Sequence, residues 1–327
     1  MIKLINAALA IVAGVGGMLA LFWILNAIVE RLPGRWEERL KPYVFIGPAV
    51  ALVGLFLVYP AVQTVIYSFA DKNSQKWVGF ENYKALWNDD NFRSALLNNL
   101  LWILVVPAVS VVIGLLIAVL ADRLRPTSEK VAKSVIFMPM AISFVGASTI
   151  WRFVYDTRFA EGDEQIGLLS AITTGLGFDP VSWLRLDAWN VNDFLLMAIM
   201  IWLQAGFAMV LLSAAVKGVP EDTLEAARID GANELQIFFR VVVPQIWPTV
   251  IVVFTTVLIL VMKVFDIVYV MTGGNADTDV VANIFVEELI EFGDDGRAAA
   301  VVVVLMIAVI PVMIYQVRRF RMQEAGR

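Results

Sequence analysis

The amino-acid sequence predicts an all-α polytopic membrane protein with about seven transmembrane helices, and three observations carry that reading. Of its 327 residues 60% are hydrophobic and 17% charged, with a mean hydropathy of +0.77, whereas a soluble globular chain is about one quarter charged. Mostly apolar runs near the roughly 20 residues that cross a bilayer as a helix recur along the chain. Arginine and lysine cluster in alternate connections between those runs and in the tail, as expected for a multi-pass protein.

The same composition excludes several chemistries. The chain has no cysteine and no histidine, which removes thiol chemistry, disulfides, histidine bases and the common zinc sites, leaving only carboxylate-type metal sites open. No G-x-x-x-x-G-K-[ST] phosphate loop occurs, so a nucleotide has no such cradle here. No set of nucleophile, base and orienting residue suggests catalysis. We therefore assign no catalytic residue, no metal and no cofactor, and expect neither an enzyme nor a nucleic-acid partner. The net charge of −5 says little until it is divided by side of the membrane.

The expected spans are 5–29, 43–69, 97–121, 135–155, 194–216, 249–271 and 298–317. The first follows Lys3 and could be mistaken for a signal peptide, but its length and the lack of a cleavage site before Glu30 favour a retained helix. Basic clusters at Arg31, Arg35, Arg39 and Lys41, at Arg123, Arg125, Lys130 and Lys133, and at Arg318, Arg319, Arg321 and Arg327 belong inside. Alternation then puts the N-terminus outside and residues 220–248 and the C-terminus inside. The second connection carries Trp77, Phe80, Tyr83, Trp87 and Phe92, which predicts a segment lying along the membrane interface. The outer connection 157–193 carries Glu161, Asp163, Glu164, Asp179 and Asp187 with glycines including Gly162, and reads as a folded insertion or a partner contact. The last outer connection, with Asp277, Asp279, Glu287, Glu288, Glu291, Asp294 and Asp295, faces only Arg297. No internal repeat or low-complexity linker divides the chain. We expect a peripheral first helix with its connection (1–42) and a core of six spans (43–327).

Residues 220–248, PEDTLEAARIDGANELQIFFRVVVPQIWP, are too charged to cross a bilayer. Pro220 suits a helix start, with Glu221 and Asp222 where the helix dipole favours acids, and a stop is expected near Gly231. Asn233 and Gln236 form a capping-box pattern for a second helix, which Pro244 should interrupt. Ala226, Ala227 and Ala232 beside Glu225, Arg228 and Asp230 would let another protein's backbone come close while ion pairs fix orientation. The expectation is a docking knob.

EAARIDGANELQIFFRVVVP resembles the EAA loop of binding-protein-dependent ABC importers, with Glu225, Ala226, Ala227, Gly231 and Pro244 filling the pattern without a gap. FIGPAVALVGLFLVYP, VGFENY and FDIVYVMTGG add to the likeness, which covers nearly all of the chain from Tyr43 onward and is nearest to the larger permease of maltose-type sugar importers, alpha-glucoside branch. The resemblance implies a type I importer permease fold in the bacterial cytoplasmic (inner) membrane. It also implies a second homologous permease, two ATP-binding subunits that hold ATP and Mg, an extracytoplasmic sugar-binding protein and surrounding lipid as partners. The loop from Glu225 through Ala226, Ala227, Arg228, Asp230, Gly231 and Ala232 to Asn233 would dock on the ATPase.

Ionisable groups near mid-bilayer point to a path or a partner, since each alone costs roughly 2.5–3.5 kcal/mol on the insertion scale. Lys263 and Asp266, three apart, should share a helical face and neutralise each other. They read either as solute contacts or as a structural pair toward a partner subunit. Gln204 and Phe207 lie one turn apart and offer an amide beside a ring, a pairing that suits sugars, although a glutamine bonded to a neighbouring helix has the same pattern. The resemblance puts sugar contacts at Met200, Leu203, Gln204 and Phe207, at Leu260, Val261 and Val264, and around Ser143 and Phe144. Aliphatic residues on the later helix depart from the maltose pattern. The implied solute is a disaccharide or alpha-glucoside such as trehalose, maltose or sucrose, with a polyol or glycerol-linked sugar as the alternative. A secondary transporter would show inverted repeats and ion sites, neither of which is seen, and a signalling scaffold would use the knob to bind a regulator.

Overall fold

A computed structural model describes residues 2–31, 33–159, 164–186 and 188–325; Glu161, Gly162, Asp163, Asp187 and Arg327, named above, lie outside the described residues. Two compact units are distinguished, residues 1–66 and 67–327.

In the first unit, α1 (Ile2–Val29) is followed by α2 (Gly34–Val53), which begins at Pro33. The predicted second span is longer than its apolar run, because the polar GRWEERLK stretch is already helical and Lys41 pairs with Glu37 one turn away at 3.1 Å. A π turn, Gly54–Val58, joins α2 to α3 (Tyr59–Tyr67). Pro60 has no N–H and its ring crowds the carbonyl four residues back. A stretch of wider i→i+5 bonding just before it relieves that conflict without ending the helix.

The second unit opens with an aromatic corner. Phe69 stacks on Trp77 and meets Phe80 edge-on, both at 5.3 Å between ring centres, ahead of α4 (Glu81–Asn88). Trp77, Phe80 and Trp87 are exposed, whereas Phe92 is buried with Leu86 rather than set at the surface as expected. The reason is that Phe92 already belongs to α5 (Asp90–Asp122), whose first turn is capped by Asp89.

Helix α5 packs along α9 (Val191–Lys217), with Asn98 and Asn192 near one end of the pair and Asp122 and Lys217 at the other, so the two run parallel. The contact is backbone-close: a Cβ on Gly114 would sit 2.5 Å from the Ala208 Cβ and 2.8 Å from the Met209 nitrogen. Between them the chain returns through α6 (Pro126–Phe137), a 3₁₀ turn over Met138–Ala141 and α7 (Phe144–Tyr155). The predicted fourth span is thus two helices bent by 105°. Gly206 of α9 sits against this path, its missing Cβ 2.5 Å from the Ile136 carbonyl oxygen.

After α8 (Leu168–Gly175) and α9 come the short α10 (Glu221–Ile229) and α11 (Glu234–Ile237). A second π turn, Phe238–Val242, leads into α12 (Val243–Val261). Pro244 therefore does not interrupt the run, for the reason given at Pro60. The predicted sixth span does break, after Val261, and resumes as α13 (Asp266–Met271). The chain closes with α14 (Val281–Val286) and α15 (Asp295–Ala325). Among the described residues, six helices are long and apolar enough to cross a membrane, or seven when the bent pair counts as one.

Gly114→Leu, by overfilling the α5–α9 contact, should lower the thermal midpoint of the detergent-solubilised protein by an amount corresponding to about 1–3 kcal/mol. Gly175→Leu, where a Cβ meets nothing within 4 Å, should leave it unchanged in the same scan.

Candidate functional site

Three regions of the second unit bring polar chemistry together, and α9 reaches all of them. The first is the 218–248 loop. Helix α10 starts at Glu221 one residue after Pro220, and Gly231 turns the chain with a φ of +83°, which a side chain would strain. The capping box forms as predicted: the Asn233 side chain accepts from the Gln236 N–H at 2.9 Å, and the Gln236 side chain accepts from the Asn233 N–H at 3.0 Å. Arg228 pairs with Glu234 at 3.2 Å and braces the two short helices. Glu225, Ala226, Asp230 and Asn233 are exposed, while Ala227 and Ala232 pack with Leu224 toward Ile237 and Val219 of the bundle. Those two alanines therefore bring the knob close to its own bundle, a correction to the reading that all three face outward. What sequence reasoning missed is apolar. Ile229 is 86% and Leu235 71% exposed, a high exposure for large aliphatic side chains on a polar loop. The signal was their position flanking Gly231.

The knob stands on a charged clasp. Glu129 of α6 pairs with Lys133 and with Lys217, the last residue of α9, the latter at 2.6 Å; Lys217 also reaches Asp122 of α5 at 3.1 Å, and Lys133 reaches Ser213. The ends of α5, α6 and α9 are thereby tied together just before Pro220.

The second region is a chamber at the two helix breaks. Two adjoining cavities of about 320 and 390 Å³ share Phe144, Leu260 and Asp266. One adds Met200, Lys263, Val264, Phe265 and Ile267, and the other Met140, Ile142, Ser143, Val145, Leu203 and Gln204. Nine of the eleven predicted contact positions meet here. Phe207 and Val261 do not, since Phe207 packs among core side chains and Val261 is fully buried. Ser143 caps α7, its hydroxyl accepting from the Gly146 N–H at 3.1 Å. Gln204 is buried and its Oε1 has no hydrogen-bond partner among the described residues. Lys263 and Asp266 do not share a helical face, because α12 ends at Val261 and α13 begins at Asp266. Phe265 takes a non-helical φ of −146° and stacks on Tyr269 at 5.0 Å. The two charges form no ion pair among the described residues, and both face the cavity.

The third region lies at the opposite end of α9 from the knob. The loop after α13 holds Gly273, Gly274, Ala276 and Asp277 at positive φ, and asparagines pin it. Asn98 donates to the Asp277 and Asp279 carbonyls at 2.6 and 2.9 Å, and Asn192 donates to the Ala276 carbonyl at 2.6 Å. Asn99 accepts from the Val281 N–H at 2.8 Å. The Asp279 carboxylate is buried and takes Asn91 and Asn283, while Asn283 also donates to Glu287 at 3.0 Å. Arg297, expected as the lone cation facing this acidic stretch, pairs with Glu288 at 2.9 Å and Asp89 at 3.3 Å. Burial first, and then the charges of Asp279 and Glu291, push the Glu287 carboxyl up to about 7 against the Asn283 hydrogen bond; burial also raises Asp279 and Glu288.

Residues 93–320 match the family described as binding-protein-dependent transport system inner membrane component. The chain is 48% identical, over 99% of both chains, to the alpha-glucoside transport system permease protein AglF of Rhizobium meliloti. It is 52% identical, over 87% of its own length and all of the relative's, to the osmoprotective compounds uptake permease protein GgtC of Synechocystis. Its fold matches a chain of a solved bacterial ABC transporter involved in the import of the acidic polysaccharide alginate, with a TM-score of 0.72, 21% identity, and coverage of 88% of this chain and 99% of that one.

Between the ordinary glutamate value of 4.5 and about 7, the native protein keeps a proton on Glu287 that the unfolded chain has lost. Stability should therefore fall as pH rises through that window and level off above it. Glu287→Gln should reduce the slope of thermal midpoint against pH between 4.5 and 7, with its gain over the parent appearing at the upper end.

Proposed function

Because the chain belongs to the family of inner membrane components of binding-protein-dependent transport systems, as a permease of an ABC sugar importer with the type I fold, we propose that it forms half of the translocation path for an alpha-glucoside or similar disaccharide and couples it to separate ATPase subunits through residues 220–248. The observation that carries this reading is the reach of α9. Met200, Leu203 and Gln204 on its buried face line the chamber, and Pro220 follows its last residue, Lys217, by three positions. A stroke on the knob would reach the chamber through one rigid helix.

In this reading the knob is cytoplasmic and the N-terminus extracytoplasmic, residues 43–327 form a six-span core, and ATP and Mg sit on two partner ATPases. Glu225 and Asp230 supply orienting charge, while Ile229 and Leu235 supply apolar contact at the same surface. Closure of the ATPases opens the chamber to the outside, where an extracytoplasmic binding protein delivers solute, and hydrolysis returns it to the inside. A second permease completes the chamber wall. Within it the free Gln204 oxygen accepts a solute hydroxyl, Lys263 donates to one, Asp266 accepts from one, and Phe144 packs on a pyranose CH face. The alpha-glucoside assignment draws on the Rhizobium relative. A glycerol-linked sugar or another small polyol is the second reading, favoured by the high identity to the osmoprotectant permease of Synechocystis.

Two measurements test this. Glu225→Arg should abolish co-purification of an ATPase with the membrane-extracted protein; retention of the ATPase by this variant and by Ile229→Asp would refute docking at the knob. Binding-protein-stimulated ATP hydrolysis by the reconstituted complex, screened with trehalose, sucrose, maltose and glycerol-linked glucosides, should rise for one class. Gln204→Leu should cut uptake of that solute roughly fivefold, as loss of one neutral hydrogen bond implies. Equal rates for every sugar would defeat the carbohydrate assignment.

A further inference from the structure

A larger cavity of about 950 Å³ opens at the far ends of the helices that line the chamber. Helix α7 places Phe144 in the chamber and Tyr155 in this upper cavity, and α13 places Asp266 in the chamber and Met271 in the upper cavity. At 1.5 Å of rise per residue the two spaces are about 8 Å apart along α13 and ~17 Å apart along α7. The outer wall is supplied by the segment between α7 and α9, the insertion left open by sequence reasoning, through Ser182, Trp183 and Arg185.

The wall is fixed by hydrogen bonds that tie its residues to Ser170 and to the backbone. The Trp183 Nε1 donates to the Ser170 hydroxyl at 2.9 Å, the Ser170 hydroxyl donates to the Asp156 carbonyl at 2.8 Å, and the Thr157 hydroxyl donates to the Val181 carbonyl at 2.7 Å. The Tyr155 hydroxyl is spent on the Leu195 carbonyl at 2.8 Å. Both rings are therefore held by their polar tips, with aromatic carbon left at the cavity. The Asp156 carboxylate, the Ser182 hydroxyl and the Arg185 guanidinium line the same space and have no partner among the described residues. Arg152 lines the space as well, its guanidinium donating to the Val270 carbonyl, so the lining holds two arginines and one carboxylate, and the choice of an uncharged solute comes from the function proposed above. Rigid ring carbon beside unspent donors and acceptors is an arrangement that takes a polyhydroxylated ring, with its CH groups on the indole and its hydroxyls on Asp156 and Arg185.

We propose that this upper cavity is an entrance site, where a neutral glycoside is held by Trp183, Asp156 and Arg185 before it moves along α7 and α13 into the chamber. The solute class rests on the function proposed above; the site itself is separate from the chamber.

The test is site mapping on the assembled complex in lipid nanodiscs, using an alkyl-diazirine alpha-glucoside followed by peptide mass analysis. Photolabel should appear on residues 152–159, 182–185 or 271–276 as well as in the chamber, and excess unlabelled glucoside should suppress both. Trp183→Ala and Arg185→Ala should each lower the upper label at least about fivefold, the loss expected for one good contact, with chamber label and basal ATP hydrolysis retained. Label confined to the chamber, upper label that unlabelled glucoside does not compete away, or upper label that survives both substitutions would overturn the entrance site while leaving the transport reading intact. A complex that labels in neither place fails the carbohydrate assignment first, and the entrance site with it.

Discussion

Inside a bilayer no water is available to backbone N–H and C=O groups, so the chain must remain helical wherever it faces lipid and can break only where it faces protein or a water-filled space. The second unit obeys this constraint, and its breaks coincide with cavities. The chain leaves helical geometry between Ala141 and Phe144 and again between Val261 and Asp266, and both breaks open on the same pair of adjoining cavities. By contrast the prolines at 60 and 244 are absorbed by π turns that keep the backbone paired. Proline alone therefore does not mark a functional break in this protein.

Around those breaks the packing is divided by task. Small residues bring α5 and α9 into backbone contact at Gly114 and Ala208, and α9 into contact with the end of α6 at Gly206. Such contacts resist sliding, because interiors at crystalline density have no room to give. The two ends of this stack are then secured by polar chemistry of different kinds. At the knob end, Glu129 and Asp122 gather Lys133 and Lys217 into a clasp. At the other end neutral asparagines on α5 and α9 hold a loop of positive-φ residues. The asparagines satisfy backbone groups that would otherwise be buried without partners. Helix α9 thus runs from a pinned loop, past a chamber, to a clasped knob, and it suits a part that must move as one piece.

The upper cavity extends the same logic outward. On the proposed path, a solute released at the pinned-loop end would meet the Trp183 wall before it reached the chamber, and the lining helices α7 and α13 reach both spaces. A stepwise descent of this kind would keep a polar solute in contact with hydrogen-bonding groups along the way, avoiding the cost of desolvating it in one move.

The number of spans, the two short helices of the 220–248 loop with their capping box, and the family resemblance were all legible in the linear chain, because hydropathy, cap residues and the EAA spacing act over a few residues and do not depend on what packs nearby. Nine of the eleven residues expected as solute contacts line the two adjoining cavities, seven of them placed by the resemblance and Lys263 and Asp266 by their charge within an apolar run. The helix breaks were not legible: an apolar run such as VLILVMKVFDIVYV reads as one helix until a neighbouring cavity makes an unpaired backbone tolerable. The same is true of the inward turn of Ala227 and Ala232, of the burial of Phe92, and of Asn98 and Asn192, whose partners lie 181 and 84 residues away. Local patterning determined which segments are helices and which face is polar. Only the tertiary structure decided where a helix could stop, because a break inside a membrane is stable only when other parts of the chain supply the hydrogen bonds and the water-accessible space that lipid cannot.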